Sequence, residues 1–184
     1  MGQDEGIVRL ILLNGPPGVG KSTVARRYLD DHPLTLLIEV DDLRVAMGGW
    51  REHEESKVRA RGLALALART HLGAGHDVVV PQYLARVDFV DELQAVASEL
   101  GAEFKHVVLA DGRQAVAQRF RIRRAELLAI GSQHPQADLA DDDIDAAIAE
   151  AERRLAEMAV DRQDMSVVHL SAVDGYEGML DVLG

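Results

Sequence analysis

Residues 14–23 have the sequence NGPPGVGKST and directly follow the apolar run IVRLILL. Gly15, Gly20, Lys21 and Ser22 fit the pattern G-x-x-x-x-G-K-[ST], in which glycines let backbone N–H groups turn inward around a phosphate. The lysine of this pattern reaches phosphate oxygens, and its hydroxyl residue binds Mg²⁺. A glycine-rich turn that only opens a helix is the alternative. We predict a triphosphate-binding loop made of Gly15, Pro16, Pro17, Gly18, Val19, Gly20, Lys21, Ser22 and Thr23.

A second candidate feature is the pair Asp41 and Asp42, which ends the apolar run LLIEV about twenty residues after Lys21. A carboxylate at the end of a strand next to the loop is suited to accept a proton from a substrate hydroxyl, or to orient it. We assign this role to Asp41 and keep Asp42 as the alternate, because strand alternation would point the two side chains in opposite directions. The competing interpretation is that both residues only cap the helix LRVAM.

The densest basic cluster consists of Arg119, Arg121, Arg123 and Arg124. On a helix, Arg119 and Arg123 share a face because they are four residues apart. Arginine binds phosphate oxygens through a planar fork that keeps its charge, so we assign these two to phosphate binding. We expect the other two to form surface ion pairs, and pairing with Glu126 is the alternative for the whole cluster.

Short apolar runs alternate along the chain with longer segments of helical periodicity. The apolar runs are nearly continuous, which favours parallel strands covered by helices on both faces. The sequence therefore predicts an α/β fold with strands at residues 7–13, 34–40, 77–80, 104–110 and 166–170. We predict helices at residues 21–31, 53–72, 88–100, 112–130 and 144–160, and a short last helix capped by Asp174.

Composition narrows the class of protein. The chain has 184 residues and a net charge of −11, so we predict one domain over residues 1–184 that binds neither nucleic acid nor an anionic membrane. It contains no cysteine, which excludes thiolate chemistry and fits a cytoplasmic protein. The seven histidines show no metal-ligand spacing, and no guanine-reading N-K-x-D motif is present.

Three segments, LILLNGPPGVGKST, EVDDLRVAM and QRFRIRR, together resemble the small P-loop kinases of the nucleoside-monophosphate, gluconate and shikimate kinase group. The second segment is similar to that of the chloramphenicol phosphotransferases, in which an aspartate at this place is the proposed base. Residues 78–123 look more like the tunicamycin-resistance proteins, which also carry Val-Pro at the end of the third strand. The resemblance covers about residues 7–128.

This resemblance implies a P-loop NTPase fold with the parallel strand order 2-3-1-4-5, ATP as phosphoryl donor, and Mg²⁺. It also implies a small helical lid at about residues 119–143, with the arginines at its root and residues 131–143 at its tip. The chain departs from many of these kinases at Pro81 and Gln82, where an acid would support the Mg²⁺. We therefore expect Ser22 and Asp41 to serve the metal.

The sequence favours a kinase that transfers the γ-phosphoryl of ATP to a hydroxyl of a small molecule such as an antibiotic, nucleoside or sugar-like metabolite. Its expected catalytic residues are Lys21, Asp41, Arg119 and Arg123. One alternative is an ATP-dependent binding protein of the tunicamycin-resistance type that sequesters a drug or metabolite without chemistry. A weaker alternative is a regulatory ATPase that acts on another protein. No motif in the sequence names the acceptor.

Overall fold

The structure, a computed structural model, describes residues 7–184, so the first six residues of the predicted domain lie outside the described part. Five parallel strands form one sheet in the order β2-β3-β1-β4-β5, which confirms the expected topology. The strands are β1 (Arg9–Asn14), β2 (Leu36–Leu37), β3 (Val78–Pro81), β4 (Glu103–Ala110) and β5 (Met165–His169).

Helices connect these strands and cover both faces of the sheet. They are α1 (Lys21–Asp31), α2 (Val40–Val45), α3 (Ser56–Leu72), α4 (Val87–Glu99), α5 (Arg113–Ala129), α6 (Ile144–Asp161) and α7 (Gly175–Leu183). Two single 3-10 turns, Pro135–Ala137 and Asp141–Asp143, lie between α5 and α6. Among the described residues, no helix is both long and apolar enough to cross a bilayer.

Strand β1 is the centre of the sheet and of the core. Its side chains alternate between two apolar clusters: Leu10 and Leu12 pack with α3 and α4, while Ile11 and Leu13 pack with α1, α5 and α7. All four are fully buried. Because β1 pairs with β3 on one side and β4 on the other, the loop that follows Asn14 is held at the middle of the sheet's carboxyl edge.

The second strand is shorter than the sequence predicted, and the predicted range 34–40 is wrong at both ends. Pairing with β3 covers Leu36 and Leu37, with one further bond from the Ile38 amide to the Val79 carbonyl. The chain then turns, and α2 begins at Val40, so the two aspartates lie in the first turn of a helix and not on a strand. The argument from strand alternation for choosing between them is therefore also wrong.

Pro81 is accommodated inside β3 because of this early end of β2. The Gln82 amide bonds to the Leu13 carbonyl of β1, so the nitrogen of the preceding Pro81 faces the β2 side. Strand β2 no longer pairs there, and a residue without an N–H costs no ladder hydrogen bond.

Candidate functional site

The loop between β1 and α1 forms an open cradle at the carboxyl edge of the sheet. Gly18 has φ +84°, and a Cβ built on it would lie 2.7 Å from the Val116 carbonyl oxygen of α5. Gly20 has φ +110°, and a Cβ built there would meet no atom within 4 Å. The loop is thus packed against α5 on one side and open on the other, as a phosphate cradle requires.

Lys21, the first residue of α1, folds back over the loop. Its Nζ donates hydrogen bonds to the carbonyl oxygens of Gly15 at 2.8 Å and Pro16 at 3.1 Å. Burial lowers the pKa of Lys21 to about 8, although Glu39 and Asp41 act in the opposite direction. An anion in the cradle would stabilise the charged form of this lysine, because a nearby negative charge favours protonation of an amine.

Two carboxylates approach Lys21 from the β2–α2 junction. Burial raises the pKa of Glu39, and the Ser22 hydroxyl and Arg26 partly counter this rise. Burial also raises the pKa of Asp41, against His134, Arg44 and Lys21, which lower it. Asp42, one position further along α2, is exposed. Asp41 is therefore the less exposed member of the aspartate pair, and its charge interacts with that of Lys21.

The polar groups around the cradle fit a Mg²⁺ ion that is held mainly by phosphate oxygens and water. Among residues 7–184, no group of three or more His, Asp or Glu side chains lies close enough to hold a metal ion by itself. Mg²⁺ in nucleotide sites takes only one or two protein ligands and keeps several waters. The Ser22 hydroxyl, which bonds to Glu39, would be such a ligand, and Asp41 is a second carboxylate close to Lys21.

Arg119 of α5 reaches the cradle directly. Its Nε donates to the Gly18 carbonyl oxygen at 3.1 Å, and its Nη2 donates to Asp111 Oδ2 at 2.7 Å. The guanidinium lowers the pKa of Asp111, which also accepts the Gly112 amide at 2.8 Å. Asp111 thus fixes the direction from which Arg119 approaches the loop.

The other arginines of the cluster point elsewhere. Arg123 lies 3.6 Å from Glu126 on the exposed side of α5. Arg121 pairs with Asp145 at 2.5 Å, and the Arg124 Nε donates to the Leu139 carbonyl oxygen at 2.5 Å. Arg121 and Arg124 therefore tie α5 to α6 and to the segment that leads into it, and of these four arginines only Arg119 contacts the phosphate loop.

Residues 131–143, the predicted lid tip, are held against the segment between α2 and α3. The Arg51 Nη2 donates to the Gln133 carbonyl oxygen at 3.1 Å and to Asp138 Oδ1 at 3.0 Å. This contact brings His134 close enough to Glu39 and Asp41 to lower the pKa of both carboxyls. Residues 131–143 thus contribute one side chain to the surroundings of the two acids.

Trp50 is enclosed between two guanidinium groups and is not a free platform for a ligand. Arg44 and Arg51 each lie 4.5 Å from its ring centroid, and the ring is 5% exposed. Arg44 also donates to Ser56 Oγ, which in turn donates to the Trp50 carbonyl oxygen. This packing holds Arg44, whose charge lowers the pKa of Asp41.

Comparison with known proteins gives the family. The model of the AAA_33 family, described as an AAA domain, matches residues 10–153, which include the cradle, α2 and α5. The chain belongs to this family.

Two enzymes with related sequences are nucleotide kinases. An adenylate kinase of Paracoccus denitrificans is 34% identical over 110 residues, which cover 53% of this chain and 49% of that enzyme. The chain thus matches about half the length of that relative. A guanylate kinase of Synechococcus is 28% identical over 179 residues, covering 80% of this chain and 95% of that enzyme. This AAA_33 chain is thus similar in sequence to nucleotide kinases, as its resemblance to the P-loop kinases implied.

A solved structure confirms the fold. The tunicamycin resistance protein of Deinococcus radiodurans superposes with a TM-score of 0.57 over 95% of this chain and 93% of that protein, at 19% identity. At that identity the likeness is one of fold alone. The resemblance to P-loop kinases, and in fold to tunicamycin-resistance proteins, is thereby confirmed.

The structure brings most of the expected residues of this AAA_33 protein together and adds three that sequence reasoning missed. The loop, Lys21, Asp41 and Arg119 share one region, whereas Arg123 contacts Glu126 instead. The missed residues are Glu39, Asp111 and His134. Glu39 comes two residues after β2 and Asp111 directly follows β4, so attention to strand ends would have found both. His134 had no such signal, because it depends on how a loop folds back.

Proposed function

We propose that the protein transfers the γ-phosphoryl group of ATP, with Mg²⁺, to a hydroxyl group of a small molecule. The observation that supports this most strongly is Asp41, a half-buried carboxylate with a raised pKa that lies beside the lysine of an open phosphate loop. A carboxylate held in this way is a stronger proton acceptor than a solvated one, which suits a general base for an alcohol.

The loop and Lys21 would bind the triphosphate. Backbone amides that line the cradle, together with the positive end of α1, favour an anion there. Lys21 already lies over the loop and would exchange its carbonyl partners for phosphate oxygens. A bound Mg²⁺ ion would supply charge neutralisation between the phosphate oxygens, with Ser22 as a ligand and Asp41 or Glu39 holding its water.

Arg119 would neutralise charge on the transferring phosphoryl group, since it already reaches the loop at Gly18. Arg123 would have to leave Glu126 to take part, and we keep it as a proposed second phosphate contact. Residues 119–143 would act as the lid. Closure of such a segment excludes water, and without it ATP would be hydrolysed instead of used for transfer.

The acceptor is proposed by class. The named relatives are kinases of adenylate and guanylate, and the fold neighbour is a tunicamycin resistance protein. A hydroxyl-bearing antibiotic, nucleoside or sugar-like metabolite is consistent with a carboxylate base at Asp41. A panel of these three classes, read out as acceptor-dependent release of ADP, is the experiment that identifies it.

The decisive variant is Asp41→Asn, with Asp42→Asn as its matched control. The change at 41 should lower acceptor-dependent ADP release by about 100-fold or more, while calorimetry finds ATP affinity within about threefold of wild type. The exposed Asp42 should tolerate the same change with nearly full activity. Transfer by Asp41→Asn at the wild-type rate would refute the assignment. Nucleotide-dependent drug binding without any ADP release would instead favour sequestration.

A further inference from the structure

Asn14, the last residue of β1, is fully buried and bonds two separate loops with one side chain. Its Oδ1 accepts the Gly15 amide at 2.8 Å and the Leu84 amide at 3.0 Å. Its Nδ2 donates to the Leu84 carbonyl oxygen at 3.1 Å. These partners fix the orientation of the Asn14 amide. The Gly15 and Leu84 N–H groups require its oxygen as acceptor, and the Leu84 carbonyl requires its nitrogen as donor.

His106 of β4 completes this arrangement. Its Nε2 lies 3.2 Å from Asn14 Nδ2, so it must act as the acceptor and the ring must carry its hydrogen on Nδ1. The side chain is 2% exposed, and burial, together with Arg162, lowers its pKa to about 4. The ring is therefore neutral at physiological pH, as this hydrogen bond requires. Among the described residues, His106 Nδ1 has no hydrogen-bond partner.

The two loops joined by Asn14 have different places in the site. Gly15 opens the phosphate cradle, whereas Leu84 lies in the loop of residues 82–86 that follows β3 at the same edge of the sheet. The N–H and the carbonyl of Leu84 both bond to the Asn14 side chain, in the way that a strand residue bonds to the backbone of its neighbour. The adjoining Tyr83 lies within the electrostatic reach of Arg154 on α6, and α6 follows the proposed lid.

We propose that Asn14 and His106 are positioning residues that couple the first amide of the phosphate loop to the loop of residues 82–86, so that a bound nucleotide orders both. The proposal rests on the proposed nucleotide binding. His106 acts through Asn14: by accepting one amide hydrogen it holds the side-chain plane in which Oδ1 meets Gly15 and Leu84. Neither residue has to touch the nucleotide.

Hydrogen exchange at two amides tests the arrangement without any ligand. The Gly15 and Leu84 amides share one acceptor atom, so a looser Asn14 should expose both together. In His106→Leu we expect both exchange rates, measured by NMR, to rise by at least about fivefold. His106→Gln can place an amide oxygen near the former Nε2, and should keep both rates within about twofold of wild type. Asn14→Ser, which loses both Nδ2 bonds, serves as a second variant if His106→Leu does not fold.

Addition of a non-hydrolysable ATP analogue with Mg²⁺ then tests the coupling. At saturation, exchange of the Leu84 amide should slow by about tenfold or more in wild type and His106→Gln, and by less than about twofold in His106→Leu or Asn14→Ser. Val107→Ala is the control for general loss of stability. It shortens a buried side chain of the same strand, one that packs in the cluster with α1, α5 and α7, and should retain the wild-type response.

Three results would overturn the proposal: no change at Leu84 when nucleotide binds wild type, equal behaviour of His106→Leu and His106→Gln, or loss of the response in Val107→Ala. A failure of the proposed nucleotide binding would be distinguishable from a failure of this coupling. It would appear as an absence of calorimetric heat when wild type is titrated with the nucleotide. The ligand-free exchange rates would still report whether Asn14 holds the two loops together.

Discussion

Glu39 at the phosphate loop and Glu150 on helix α6 have the same side chain, and their pKa values shift in opposite directions. At the loop, burial raises the pKa of Glu39 and Asp41. On α6, the guanidinium groups of Arg153 and Arg154 lower the pKa of Glu150 to about 2, and this carboxylate is well exposed. The difference arises from solvent: the first pair has lost water, whereas Glu150 has kept it and gained partners.

This comparison shows where charge has functional value in an acidic protein. The residues of α6 form the most conspicuous charged run of the sequence, yet its ion pairs face solvent, where such pairs contribute little. The loop region holds few charges, but they are partly desolvated and close to one another. We expect this arrangement to cost stability in the absence of ligand and to be relieved by the anion and metal proposed to bind there.

The largest effect is expected for Lys21→Met, which keeps the apolar stem and removes the charge. ATP affinity, measured by calorimetry, should fall by about 100-fold or more, because a buried ammonium–phosphate contact is lost. The free energy of unfolding at pH 7 should rise by up to about 3 kcal/mol, since the folded state disfavours the protonated lysine. The gain should shrink as pH rises from about 8 towards 10.5, where the unfolded chain also loses its proton. A fall in stability at pH 7 would contradict the claim that this region is strained by desolvation.

A smaller effect is expected for Glu39→Gln. The folded pKa of Glu39 is above its unfolded value, so the charged carboxylate destabilises the ligand-free protein at neutral pH. The variant should gain on the order of 1 kcal/mol at pH 7, and the gain should vanish as pH falls to the unfolded value of 4.5. Chemical denaturation at several pH values measures this, and a pH-independent difference would argue against an electrostatic cause.

The smallest effect is expected for Glu150→Gln, the exposed counterpart of that change. The pKa of Glu150 is lower in the folded state than in the unfolded chain, so its ion pairs can stabilise the protein only above the unfolded pKa. The variant should therefore lose free energy of unfolding, whereas the variant at Glu39 gains it. Both partners face solvent, so the decrease in unfolding free energy at pH 7 should be close to the error of denaturation and should disappear in high salt. A large loss would remove the contrast between the two regions.

Sequence alone predicted the elements that depend on backbone geometry and burial. The glycine spacing before Lys21 specified the loop, and continuous apolar runs located all five strands. The end of β2 was not predictable, because Val40 and the aspartates that follow it fit a strand end and a first helical turn equally well. Acidic side chains in the first turn of a helix interact favourably with the helix dipole, and in the structure these residues are helical.

The rest of the site was hidden because it depends on long-range packing. Glu39 is one of 31 acidic residues, and its position after β2 does not reveal the burial that raises its pKa. Arg119 and Arg123 share a helical face by spacing, yet Asp111 directs Arg119 to the loop while Glu126 holds Arg123 in solvent. Asn14 and His106 are 92 residues apart and meet through the pairing of β1 with β4. No local pattern contains such information.

The central claim is that the open loop between β1 and α1 binds the phosphates of a nucleotide. Calorimetric titration of the folded wild-type protein with ATP and Mg²⁺ tests it most directly, with Lys21→Met as the control. We expect one site per chain in the wild type and a loss of about 100-fold or more in affinity in the variant. An absence of heat and of any rise in melting temperature with well-folded wild-type protein would contradict the account.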